Sequence, residues 1–266
     1  MSAPVPVCYS DIGKSASDLL GKDYPVGTIK LESKTTAPNN VSFILSGQKD
    51  LKAGGISGEF KSKYNYPKRG FLFTGTWTTA NSLNVQVELD NNLAKGLKLD
   101  LNTNLHLASG SKKGPVFQGD VVIGHEGFLI GGEAFYNVSD GNVTRYGVST
   151  GFTAPEYNIT LKATNSMAAY ELLYYHRVHS DIEAGAKARW DTTTSGDNSI
   201  SMEVGTKYFL DRHTFVKAKI DNFGRLGLGY TQELRPGVKI SIGGSFETSK
   251  LSTNSHRIGV SFNLES

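Results

Sequence analysis

Long apolar runs are missing from this 266-residue chain. No stretch approaches the ~18 consecutive apolar residues that mark a membrane-crossing helix. Cysteine is almost absent as well: Cys8 stands alone, which rules out an intramolecular disulfide framework. A formal net charge of +3 with no basic block gives no surface for nucleic acid. The opening M-S-A-P-V-P-V-C-Y-S-D has neither the charged nor the apolar region of a secretory signal. Neither a nucleophile elbow nor a dinucleotide fingerprint is present, because Gly227-x-Gly229 lacks a third glycine and a strand–helix setting.

What the chain has is alternation. From Ile182 to Trp190 it reads I-E-A-G-A-K-A-R-W, with Ile182, Ala184, Ala186, Ala188 and Trp190 on one parity and Glu183, Lys187 and Arg189 on the other. Neighbouring side chains of a strand point to opposite faces, so this strand has one uncharged face and one ionic face. Leu83, Val85, Val87 and Leu89 repeat the pattern, as do Ile258, Val260, Phe262 and Leu264. About seventeen strand-like segments follow one another from 26–35 to 254–264, separated by turn signals such as Asp140-Gly141. Most match the ~9–11 residues of a tilted membrane-crossing strand. The stretch at 167–176, M-A-A-Y-E-L-L-Y-Y-H, alternates poorly and is kept as a strand because a helix there would interrupt the meander.

Charge kept to one face of a long strand array is what a closed barrel in lipid requires. A mean hydropathy of −0.29 does not oppose this, since lipid-facing and water-facing residues average out. The fold expected is all-β: a transmembrane antiparallel barrel of about seventeen strands over 26–266, preceded by a helix and linker over 1–25. A barrel without a secretory signal points to a mitochondrial or plastid outer membrane. In the first segment Ile12, Ala16, Leu19 and Leu20 share one helical face, Ser10 or Asp11 is placed to cap it, and Gly21 and Pro25 end it. This amphipathic helix of about three turns either packs on the barrel or membrane surface, or lines the lumen with Lys14 and Lys22 towards water.

With the apolar parity outward, the inward basic residues are Lys30, Lys34, Lys61, Lys63, Lys98, Lys162, Lys187, Arg189, Lys207, Lys217, Lys219, Lys239 and Arg257. The inward acidic set is Glu32, Glu59, Glu88, Asp100, Glu133, Glu183, Glu203 and Glu247. The positive excess predicts a modest preference for anions, kept weak by screening across a wide lumen.

Ordered motifs then carry a resemblance. Asp11-Ile12-Gly13-Lys14-Ser15-Ala16 with Asp18-Leu19-Leu20, Gly27-Thr28-Ile29-Lys30-Leu31, Asn92-Leu93-Ala94-Lys95-Gly96-Leu97-Lys98, Gly124-His125-Glu126-Gly127-Phe128, and the run from Leu226 to Gly237 resemble mitochondrial porin, the voltage-dependent anion channel. The likeness spans the chain and is strongest to fungal members. It implies a voltage-gated, weakly anion-selective pore of the mitochondrial outer membrane, passing ATP, ADP, phosphate and other small anions, with the helix inside the lumen. It implies nucleotide contact at Lys14, Lys22 and Lys98, and at Leu226, Gly227 and Gly243. It also implies that Arg257, Gly259, Phe262 and Leu264 form the signal read by the outer-membrane assembly machinery. Membrane lipid is the implied surround and a homo-oligomer an admissible state; enzyme activity, cofactor, metal and nucleic acid are not expected.

The chain departs from the family pattern in strand number. The family has nineteen strands, and the region between Lys98 and Gly114-Pro115 is about two strand-lengths short. Closure with seventeen strands would leave the first and last parallel; the alternatives are pairing rebuilt between Leu107 and Pro115, or an open ring. Two other functions stay in play: the related barrel that translocates proteins, and a soluble all-β binding protein. His176-x-x-His179 is discounted as a metal site because i, i+3 on a strand faces opposite sides.

Overall fold

The computed structural model describes residues 7–90, 94–106, 114–194, 196, 199–248 and 256–266. Asn92 and Leu93 of the third motif, and most of the Leu107–Pro115 step, lie outside them. One α-helix, α1 (Lys14–Gly21), follows a 3-10 turn at Tyr9–Asp11. Seventeen strands come next. In chain order they are β1 (Thr28–Thr36), β2 (Val41–Asp50), β3 (Ile56–Tyr66), β4 (Phe71–Thr78), β5 (Ser82–Asp90) and β6 (Leu97–His106). β7 (Val116–His125), β8 (Phe128–Asn137), β9 (Asn142–Thr153), β10 (Tyr157–Thr164), β11 (Ala169–His179) and β12 (Ile182–Asp191) continue the meander. β13 (Ile200–Phe209), β14 (Thr214–Asp221), β15 (Arg225–Arg235), β16 (Val238–Glu247) and β17 (Arg257–Glu265) complete it. The poorly alternating 167–176 stretch is strand β11.

Each strand pairs antiparallel with its successor, and β1 and β17 pair parallel, from Ile29↔Val260 to Lys34↔Glu265. The ring is therefore closed with an odd count. β6 and β7 pair directly, Leu97↔Ile123 through Asn104↔Val116, so the shortened region leaves no gap in the wall. Closure satisfies the backbone groups that an open edge would leave bare in lipid. Seventeen tilted strands about 4.8 Å apart give a backbone radius of roughly 17 Å.

The register fixes which side chains meet lipid. Phe60 lies opposite Trp77, Trp77 opposite Leu83, Leu83 opposite Leu105, and all of these face outward. Leu45, Phe73, Leu101, Ile130, Val204 and Ile258 are likewise exposed on the outside. Such an exterior has no place in water, which removes the soluble alternative. The buried apolar residues sit elsewhere: Tyr9, Ile12, Ala16, Leu19 and Leu20 of the N-terminal segment, packed on the inside of the wall. Val122 and Leu129 meet Tyr9 and Ile12 there.

The helix is shorter than its apolar spacing implied, eight residues rather than three turns, and neither Ser10 nor Asp11 caps it. Its N-cap is Gly13, left-handed at φ 74°. A β-carbon there would meet Leu173 Cδ1 at 2.7 Å and Thr160 Oγ1 at 3.0 Å, so the chain bends where only glycine fits the wall.

Candidate functional site: the lumen and its N-terminal segment

A track of inward glycines seats the segment. β-Carbons at Gly131, Gly151, Gly185 and Gly205 would each come within 3.3 Å of Ile12, Ile12, Leu19 and Leu20 respectively. Further along, Gly229 lies under Asp23 and Tyr24, and Gly243 and Gly259 under Pro25. Small residues at these points let the helix and linker lie flat against β8–β17 instead of standing in the lumen. The helix face bearing Ala16, Leu19 and Leu20 is sealed against β11–β13. Lys14 and Lys22 are exposed to the opening. A hydrogen bond to Asp11 at 2.9 Å holds the Lys14 ammonium above its ordinary pKa, so it stays cationic.

Two wall lysines cap the far end of the helix. Lys217 donates to the carbonyls of Asp18 and Lys22, each at 3.0 Å, and pairs with Asp23 at 3.1 Å. Lys219 donates to the Leu20 carbonyl at 2.6 Å and pairs with Glu203 at 2.9 Å. The Asp18 carbonyl also accepts the Lys22 N–H at 3.0 Å, and both lysines sit at the helix end where the macrodipole favours a cation. Tyr24 packs beside both ammoniums, and burial pushes its phenol well up from the ordinary value.

The near end is anchored on β5–β8. Cys8 donates to Glu88 at 3.1 Å, and Glu88 pairs with Lys98 at 2.9 Å. Burial first, then the Glu88 contact, pushes the Cys8 thiol well above its ordinary range, so little thiolate is present.

The basic residues assigned to the pore lie inside the barrel, but in different circumstances. Lys30, Lys61 and Lys187 are paired with Glu32, Glu59 and Glu171, and Arg189 lies 3.8 Å from Asp191. Lys207 stacks over Phe209 and Phe215, 3.9 Å from Glu183. Lys22, Lys63 and Lys239 have no ion pair within 4.0 Å among the described residues. Lys217 and Lys219 hold the helix rather than face solution, and Lys98 is sealed by Glu88. Lys22, Lys30, Lys207 and Lys239 border a cavity of about 700 Å³ beside the linker.

The six nucleotide-contact candidates do not come together. Lys98 on β6 and Gly227 on β15 stand on opposite sides of the ring. Leu226, opposite Ile220 and Phe246, has the lipid-facing parity. Gly227 lies under the Lys219 stem and Gly243 under Pro25. In β17, Arg257 and Gly259 point inward while Phe262 and Leu264 point outward.

Alternation alone undercounted the inward carboxylates. Register also places Asp90, Asp120, Glu171, Asp191, Asp221, Glu233 and Glu265 on the inner face. Register adds Arg145, Arg177 and Arg225 to the inner face as well, fewer than the added acids, so the wall is closer to charge balance than the sequence tally. Several of these acids are engaged at strand ends: Asp191 accepts from Thr193, Asp221 from Arg225, and Glu233 contacts His213.

The family model for eukaryotic porins matches residues 5–113 and 102–259. The chain belongs to the eukaryotic porins. It is 39% identical to the mitochondrial outer membrane protein porin of Neurospora crassa over 286 residues, covering 97% of this chain and 98% of that one. The Candida albicans porin is 36% identical over 97% of this chain and 99% of its own. The non-selective voltage-gated ion channel VDAC2 of Xenopus laevis is 30% identical over 98% and 99%. This porin is accordingly a channel protein of the mitochondrial outer membrane. The alignment to the Neurospora protein is longer than the chain itself, so that relative carries residues absent here. Among solved structures, a mutant of Rh. blastica porin shares the fold with a TM-score of 0.54 at 10% identity, covering 84% of this chain and 90% of that one.

Proposed function

We propose that this porin is a voltage-gated, weakly anion-selective diffusion pore for ATP, ADP, phosphate and other small anions. The observation that carries the reading is a closed ring, apolar outside and ionic inside, whose lumen is narrowed by the docked N-terminal segment rather than filled. Lys14 and Lys22 stand where permeants pass, while much of the wall's acid is held in turns or beneath the segment. Ammoniums exposed at the water surface bias entry without excluding cations. A diffusion pore needs no bond-making chemistry.

Planar-bilayer recording of the purified chain in a salt gradient tests it. A reversal potential of cation sign would favour a protein-translocating barrel instead. With two strands fewer than nineteen, and cross-section scaling as the square of strand number, conductance is expected about a fifth below that of a nineteen-strand relative. Equal conductance would count against a narrower bore.

Nucleotide contact is assigned first to Lys14 and Lys22, which are exposed. Replacing both by glutamine is expected to move the reversal potential towards zero and weaken ATP block of current. Lys98→Gln, by contrast, strips Glu88 of its cation and is expected to loosen the Cys8 anchor more than it alters selectivity. We assign Arg257, Gly259, Phe262 and Leu264 to the assembly signal. Their alanine variants are expected to slow insertion into isolated mitochondria while leaving detergent-refolded barrels able to conduct.

A further inference from the structure

Four carboxylates lie in a single row across the inner wall. Glu88 on β5 is directly opposite Asp100 on β6, Asp100 opposite Asp120 on β7, and Asp120 opposite Glu133 on β8. Like charges directly across a ladder destabilise a sheet, so nothing in barrel stability calls for this row. Only Glu88 has an ion pair within 4.0 Å among the described residues, to Lys98. Asp100 and Asp120 take amide hydrogen bonds instead, from Gln86 at 2.6 Å and Gln118 at 3.2 Å.

The row is covered. Asp100 and Asp120 are 5% and 4% exposed, although they sit on the face of the sheet that borders the lumen. Cys8 lies on Glu88, and the Tyr9 ring and Ile12 pack on Val122 and Leu129 beside the row. Two groups are left wanting a partner there: Asp100 Oδ1 and the Tyr9 hydroxyl are both buried with no hydrogen bond among the described residues. Buried acid without a cation opposes docking of whatever covers it.

We propose that the row Glu88–Asp100–Asp120–Glu133 is a masked cation-attracting wall of this pore. Val7–Ile12 hides it while docked, and lifting that segment exposes it and moves the pore's preference towards cations. The inference rests on the reading of the chain as an aqueous pore. Exposed carboxylates lining water concentrate cations, and the same charges under a protein cover do not.

The test measures the chloride-to-potassium permeability ratio of the full-length chain in a potassium chloride gradient. Two variants lift the segment independently. Gly131→Leu fills a position whose β-carbon would already lie 3.0 Å from Ile12 and Tyr9. Ile12→Asp adds a charge to a fully buried contact. Modification of Cys8 by a charged thiol reagent reports the lifting. In the docked chain, Asp100→Asn with Asp120→Asn is expected to leave the ratio nearly unchanged. In either lifted variant the ratio is expected to fall by roughly twofold, and adding the two asparagines is expected to restore it. A lifted variant with reactive Cys8 and an unaltered ratio would overturn the proposal. So would a cation shift that survives the asparagines, or one that appears while Cys8 stays protected, since the docked segment would then not be what hides the row. Absence of any conductance in the unaltered chain would instead retire the pore reading itself.

Discussion

Lys217→Met is expected to free the C-terminal end of α1 from the wall. One ammonium, only 5% exposed, donates to two helix-end carbonyls and to Asp23. Methionine keeps the stem and removes all three bonds, leaving Asp23 without its cation. Breaking a buried pair from one side costs about 3–5 kcal/mol. That is enough to shift docking of the helix end by orders of magnitude. Limited trypsin digestion at Lys22 reads it directly: cleavage is expected to accelerate strongly, and the open-pore current to become noisy. Lys219→Met removes a single carbonyl bond to the helix, along with the wall pair to Glu203, and is expected to do the same more weakly. Lys207→Met, whose ammonium sits over Phe209 and Phe215, is expected to change cleavage least. Equal cleavage in all three would mean that the glycine track alone retains the helix.

Gly259→Ala is expected to strain the seam where the ring closes. An added β-carbon would lie 2.6 Å from the Thr28 carbonyl oxygen and 2.9 Å from Pro25 backbone atoms. Backbone cannot rotate away as a side chain does, so linker and strand must separate, at a cost of about 1–3 kcal/mol. Gly47→Ala is the counterpart: that glycine faces lipid between Leu31 and Gly58, with nothing within 4 Å of its would-be β-carbon. Thermal unfolding of refolded barrels by circular dichroism should show Gly259→Ala melting several degrees lower, with Gly47→Ala unchanged or slightly higher. Matching midpoints would show that the linker gives way freely.

The barrel was legible because alternation is local. Leu83 to Leu89, or Ile182 to Trp190, declares its two faces without reference to any neighbour. Even the weak strand at Ala169–His179 was recoverable, since Leu172, Tyr174 and His176 share a parity once the meander is assumed. What alternation could not supply was register. Asp120 is an isolated acid in a glycine-rich strand until its position opposite Asp100 and Glu133 makes it part of a row. Acids at strand ends, such as Asp191 and Asp221, were missed because parity is ambiguous where a strand runs into its turn. The helix start was misplaced for a related reason. Ser10 and Asp11 have the chemistry of caps, but Leu173 and Thr160, distant in sequence, dictate a break at Gly13. Lys217 could be assigned to the inner face from its own strand. That it grips Asp18 and Lys22 depends on where the first segment comes to rest.

Consider finally the junction of β1 with β17. Every other lateral pairing in the cylinder joins strands adjacent along the chain, whereas this one waits for the last strand to find the first. Before that meeting the molecule is a curved ribbon with two bare margins, each able to zip onto a foreign strand. Pairing of β1 with β17 removes both margins in one step, so the same contact that closes the cylinder also withdraws it from pairing with other chains.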